Sequence, residues 1–195
     1  LFVRTEKGIV CIDKNSFKID WAYDDLDKTS QFIRVLADAE KGLFFVSESD
    51  LKQSYLHKID KNGIRTTKKP IKLEAIPKGL TFTPQGVLCQ MTNYSESYFQ
   101  LYDAQTAENI WKKPVDIKGT IYLAQQTADN FIYASDRGLI NSLDLTTGQE
   151  KLKKEIKTGV LFKSIVLLDN NLVFYITSQD MGIANLQTGE YAKQP

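Results

Sequence analysis

The sequence predicts an all-β fold, a β-propeller of about five four-stranded antiparallel blades, on three observations. A turn pattern recurs at near-constant spacing. Strand-sized apolar runs recur in step with it. No stretch carries helical periodicity with caps over three turns. The turn pattern is an acidic or amide residue followed by turn formers. It is anchored at Asp13, Asp60, Asp103, Asp144 and Asn185, with separations of 47, 43, 41 and 41 residues. An Asp or Asn there can bond its side-chain oxygen to backbone N–H groups further along the turn. Gly148 and Gly189 supply the positive φ that closes a bulged type I hairpin.

Each turn follows a short strand, such as 98–102 or 139–143, and a more apolar strand before that, such as 87–91, 131–134 or 172–176. Further back lies another, including Phe32-Ile33-Arg34-Val35-Leu36, 80–82, 121–123 and 164–167. The near-continuous apolar character of the second strands is that of strands covered on both faces. After each turn the chain turns polar and lysine-rich. Arg65, Lys68, Lys69 and Lys72, then Lys112 and Lys113, then Lys151, Lys153, Lys154 and Lys157 are assigned to the fourth, outermost strands. Lysine on an exposed edge discourages edge-to-edge aggregation. The chain opens in a second strand and closes in a fourth, so the count is 19 strands, with the innermost strand of the first blade missing. Residues 1–195 are read as one propeller domain, either a closed five-bladed ring or an arc of a larger ring of roughly seven or eight blades. Leu1 opens the chain within a strand, which suggests a processed or trimmed N-terminus.

Composition narrows the function classes. The chain has 195 residues, 42% of them apolar and 25% charged, with a net charge of +1. That balance belongs to a folded domain and gives no global attraction to nucleic acid. Two cysteines, Cys11 and Cys89, fall in different repeats, too few for a disulfide scaffold or a four-thiolate zinc site. The single His57 leaves no pair of imidazoles for a metal site or relay. No P-loop, nucleophile elbow or zinc spacing occurs, and no apolar run nears the roughly 20 residues of a membrane span. The Asp13 and Asp60 turns lack the later bidentate Glu of a calcium loop. Neither a catalytic constellation nor a cofactor is expected.

The segment from Phe131 to Gly148 resembles the quinoprotein-type (PQQ-like) β-propeller repeat, in which an Asp-x-x-Thr-Gly hairpin is followed three residues later by Trp. Asp103 to Trp111 keeps this pattern with Ala107 in place of Gly, and Asp13 to Trp21 keeps the Asp-to-Trp spacing. Both tryptophans thus fall at one repeat position, as docking residues. Lys68, Leu152 and Lys193 stand there in the other repeats. The vicinal cysteine pair of the quinone-dependent enzymes is absent. The resemblance therefore implies a non-enzymatic member of the kind that scaffolds outer-membrane assembly, with an extracytoplasmic setting favoured.

Three functions follow as expectations. The first is a protein-binding module that uses the loops at one end of the channel. Its contact residues are Glu48, Asp50, Tyr94, Asp136, Arg137 and Gln179 between second and third strands, with Lys78 from an adjoining loop. The second is a carbohydrate- or small-anion-handling propeller, binding or hydrolytic, with Arg34 and Lys163 as cations in the channel. For those two cations, a solvated wall or a paired Arg is the plainer alternative. The third is a structural portion of a longer sensor or assembly protein.

Overall fold

The computed structural model describes residues 1–6, 8–24, 31–38, 42–48, 53–93, 96–127, 129–151, 156–157, 162–169 and 171–194. All of its regular structure is strand. Sheet 1 holds β1 (Phe2–Arg4), β2 (Ile9–Ile12) and β3 (Ile19–Tyr23). Sheet 2 holds β4 (Gln31–Asp38), β5 (Gly42–Glu48), β6 (Ser54–Ile59) and β7 (Ile71–Lys72). Sheet 3 holds β8 (Ile76–Thr83), β9 (Gly86–Asn93), β10 (Glu96–Tyr102) and β11 (Val115–Lys118). Sheet 4 holds β12 (Ile121–Gln126), β13 (Asn130–Ser135), β14 (Leu139–Asp144) and β15 (Ile156–Lys157). Sheet 5 holds β16 (Phe162–Leu167), β17 (Leu172–Thr177), β18 (Met181–Asn185) and β19 (Tyr191–Gln194). Strands are hydrogen-bonded in chain order within every sheet, and every pairing is antiparallel. The first strands of successive sheets pack together, β4 against β8 and β12 against β16, so they line the inside of the stack.

The core lies between sheets, one apolar cluster per junction. Ile9 and Tyr23 of sheet 1 meet Ile59 of sheet 2. Leu56 of sheet 2 meets Val87, Cys89 and Met91 of sheet 3. Leu88 and Phe99 of sheet 3 meet Phe131, Tyr133 and Leu143 of sheet 4, with Phe99 edge-on to Phe131 at 5.0 Å. Ile132, Ala134 and Ile140 of sheet 4 meet Val173, Tyr175 and Ala184 of sheet 5. Strand β13 shows why its sequence is apolar throughout. Phe131 and Tyr133 face sheet 3, while Ile132 and Ala134 face sheet 5. Sheet 5 buries one face only. Val173, Tyr175 and Ala184 are sealed, whereas Val166, Met181 and Ile183 remain 44, 48 and 43% exposed.

The five recurring turns share one geometry. The Oδ1 of Asp103 accepts from the N–H groups of Gln105 and Thr106 at 2.8 and 2.7 Å. That of Asp144 accepts from Thr146 and Thr147, both at 2.9 Å. Asn185 makes the same pair of bonds as a neutral amide, and these bonds hold the Asp103 carboxyl below its ordinary pKa. Near the end of each turn one residue is left-handed: Phe17, Gly63, Ala107, Gly148 and Gly189, with φ between 56° and 82°.

The outer strands begin later than the sequence suggests. After the turn the chain makes a single bridge, Tyr102 to Asn109 or Leu143 to Glu150, then bends away and rejoins the edge. Strand β11 therefore starts at Val115, and Lys68, Lys69, Lys112 and Lys113 lie in the bends leading to the outer strands. Lys72, Lys118, Lys157 and Lys193 lie in the outer strands themselves. The bend exists because Trp111 leaves its own sheet. Its indole Nε1 donates to the Leu145 carbonyl of the next sheet's turn at 3.2 Å, and its ring lies over Gly148. Trp21 does the same, donating to Lys61 at 2.9 Å and lying over Gly63. A Cβ added at Gly63 or Gly148 would come within 2.7 or 3.0 Å of the indole ring.

Where no tryptophan docks, the left-handed residue carries a side chain. Lys68 occupies the tryptophan position over the third turn, and the residue there is Ala107. This coupling is testable. Trp111→Ala is expected to lower stability by about 3–5 kcal/mol, and Gly148→Ala by about 1–2 kcal/mol. In denaturant titrations the double variant should lose less than the sum, because the methyl then meets no ring. Conversely, Lys68→Trp combined with Ala107→Gly should gain about 1 kcal/mol over the sum of the two single changes, whereas Lys68→Trp alone should gain nothing.

Candidate functional site

One end of the stack gathers the loops between second and third strands and the connections from each outer strand to the next inner strand. These two sets are tied together at sheet 4. The Oδ1 of Asp136, between β13 and β14, accepts from the Thr120 N–H at 2.9 Å, and the Asp136 N–H donates to the Thr120 carbonyl at 2.8 Å. Asp136 is thus a half-buried strut inside the loop face, its carboxylate engaged with the backbone. Arg137 beside it is exposed, and its aliphatic stem lies across Gly119. Gly119 has φ of 93°, and a Cβ there would lie 3.1 Å from Arg137 Cγ, so a side chain would displace the arginine. In sheet 5, Thr177 Oγ1 donates to the Asp180 carboxylate at 2.6 Å and accepts from the N–H groups of Gln179 and Asp180. Gln179 stands exposed on this braced turn.

The inner strands end at the same face and share a feature that single-residue reasoning misses. Each has a register shift near its start: between Phe32 and Arg34, Pro77 and Gly79, Ile121 and Leu123, and Phe162 and Ser164. The residues inside these shifts are Ile33, Lys78, Tyr122 and Lys163. A bulge re-aims the side chain it contains, and Lys78 and Lys163 are both exposed. The signal was present in the sequence as an alignment of the four inner strands, although strand boundaries are needed to find it. Arg34 directly follows the first bulge in β4, opposite Val46, and Glu48 closes β5, opposite Gln31 and Ser54. Asp50 and Tyr94 lie outside the described residues.

The clefts lie elsewhere. One of about 600 Å³ runs between sheets 3 and 4, lined by Trp111, Lys112, Lys113, Thr146 and Thr147 among others. A second of about 670 Å³ runs between sheets 2 and 3, bounded by Lys68, Lys69, Thr106 and Ala107. A third of about 240 Å³ between sheets 4 and 5 touches Asn130, Lys151 and Leu186. All three sit by the hairpin turns, away from the loop face. Among the described residues no group of three or more His, Cys, Asp or Glu is placed to hold a metal ion. None of the described helices is long and apolar enough to cross a membrane. Cys11 and Cys89 are both free, and burial pushes the Cys89 thiol up to about 12, far from a reactive thiolate.

With this geometry in view, comparison with known proteins places the fold. The computationally designed Ika8 protein superposes with a TM-score of 0.60 at 13% identity, over 97% of this chain and 56% of its own. BamB from Moraxella catarrhalis gives 0.55 at 12% identity, over 98% of this chain and 62% of its own. HIRA(644-1017) gives 0.53 at 9% identity, over 85% and 52%. These neighbours are propellers, and at such identities they speak for fold alone. The fold is an all-β propeller. The chain spans between about half and two thirds of the length of these neighbours. No protein-family model matches it, and no curated protein sequence does.

His57 belongs to the scaffold of sheet 2. It is 3% exposed in β6, opposite Phe45, and burial first, then the Arg65 charge, lowers its pKa to about 4. It is therefore neutral in the folded protein at pH 7 and protonated below about 6.5 in the unfolded chain. The unfolded state binds the extra proton, so this contribution to stability is complete above about pH 6.5. It falls away as the pH drops towards 4, by up to about 3 kcal/mol. Chemical denaturation from pH 7.5 to 4.5 should show this loss in the native chain, and a shallower slope in His57→Gln.

Proposed function

We propose that the chain is a non-catalytic protein-binding module and that the loop face around the inner strands is its contact surface. The observation that carries this is the pairing of exposed, interface-type side chains with loops already fixed by internal hydrogen bonds. Arg137 stands beside the Asp136–Thr120 strut, and Gln179 stands on the Thr177–Asp180 turn. Loops held this way lose little conformational freedom on association, and arginine is enriched where binding energy concentrates. The similarity to BamB and HIRA, together with the quinoprotein-type turn and tryptophan spacing, supports a non-enzymatic scaffold.

Lys78 and Lys163, carried outward by the inner-strand bulges, favour an acidic contact at the centre of this face. A small anionic or carbohydrate ligand is the second reading that the same two lysines support. The uncovered far face of sheet 5, and neighbours longer than this chain, favour a role as part of a larger assembly protein.

The test is capture of a partner from native extract, followed by the same measurement with variants at two separated places. Arg137→Glu with Gln179→Lys, or Lys78→Glu with Lys163→Glu, should weaken capture at least 10-fold. Lys112→Glu with Lys113→Glu, on the outer rim, should leave it unchanged. Equal losses at both places, or none at the loop face, would sink the assignment.

A further inference from the structure

Sheet 1 has three strands where the other sheets have four, and the open position is the innermost. The hydrogen-bond phase of β1 defines what that opening presents. Leu1 and Ile12 exchange both main-chain bonds at 2.8 Å, and the Thr5 N–H donates to Gly8 at 2.8 Å. Val3 lies opposite Val10 between these two bonded positions. Alternation in an antiparallel ladder therefore turns Leu1, Val3 and Thr5 towards β2, and turns the N–H and C=O of Phe2 and Arg4 towards the open edge. In sheets 2 to 5 the same edge of the second strand is covered along its length by β4, β8, β12 or β16.

The outer edges of the stack are guarded and this inner one is not. β7, β11, β15 and β19 each carry a lysine, whereas β1 offers Phe2 and Val3 with Arg4 at its end. A ladder edge with no proline and two apolar residues is a template for another strand. We propose that the open edge of β1 takes an extended strand of another polypeptide, which completes sheet 1 by β-augmentation. The four inner strands define the chemistry of the occupant. Each has an apolar residue just before its bulge, Phe32, Pro77, Ile121 or Phe162, and an apolar residue two positions after it, Val35, Leu80, Ala124 or Ile165. The occupant is thus an antiparallel strand with apolar residues three apart, and it continues the row in which β4 packs on β8. Its contact is with the edge of β1, so it is independent of the loop-face interface.

The probe is a labelled synthetic peptide with the chain's own residues 29–40, which contain β4, added to the 195-residue protein. Saturable one-to-one binding by fluorescence anisotropy is expected, with none for a scrambled peptide. Arg4→Pro removes only an outward N–H, so it should weaken binding at least 10-fold while leaving Tm nearly unchanged. Should that variant unfold, hydrogen exchange on the unaltered protein gives the same answer: added peptide should slow exchange at the Phe2 and Arg4 amides. Absence of saturable binding overturns the proposal, as does binding indifferent to Arg4→Pro in a folded variant. Protection of the Phe2 and Arg4 amides that rises with protein concentration alone also overturns it, because the edge would then belong to a second copy of this chain.

Discussion

A sheet of three or four short strands with apolar residues on both faces cannot stand in water alone, and everything else in this molecule follows from that constraint. Strand β13 sends alternate residues into two different cores, so sheet 4 exists only because sheets 3 and 5 flank it. Stability is therefore distributed across junctions, each with its own cluster. Face-to-face apolar packing is tolerant of sliding and rotation, so it needs something directional to fix one sheet against the next. At two junctions that role falls to an indole that crosses from one sheet to the turn of its neighbour.

The docked tryptophan explains details that otherwise look unrelated. It makes the chain bend between the bridge at Asn109 and the outer strand at Val115, because the ring must reach past its own sheet edge. It dictates glycine at 63 and 148, where the left-handed backbone alone would accept other residues, as Phe17 and Ala107 demonstrate. Backbone conformation sets the turn, and the neighbour's side chain sets which residue occupies it. The Asp and Asn anchors act one level below, closing each turn by local hydrogen bonds that require no tertiary partner.

The loop face obeys a different logic from the sheets that carry it. Its polar groups divide into those consumed by the fold and those presented to solvent. Asp136, Thr177 and Asp180 belong to the first group, Arg137 and Gln179 to the second. Neighbouring residues in one loop thus have opposite roles, and residue type does not distinguish them. The inner-strand bulges add a further layer by placing Ile33, Lys78, Tyr122 and Lys163 at equivalent positions, so that one structural device carries different chemistry in each sheet.

Much of the fold was legible in the residues. The anchors at 13, 60, 103, 144 and 185, the 19 strands, the missing inner strand and the shared position of both tryptophans all follow from local turn chemistry and from apolar runs. These are short-range signals, written within a few residues of where they act. The bend that delays β11 was not legible, because its cause is a carbonyl 34 residues further along the chain. Nor was the use of Asp136, whose partner is Thr120 in the preceding connection. The bulges, the coupling of Ala107 to Lys68, and the phase that turns Phe2 and Arg4 to the open edge likewise depend on register between strands. By itself the sequence determined which segments are strands and where they turn. Only the tertiary structure decided which polar groups are left over for a partner, because that depends on distances between residues far apart in the chain.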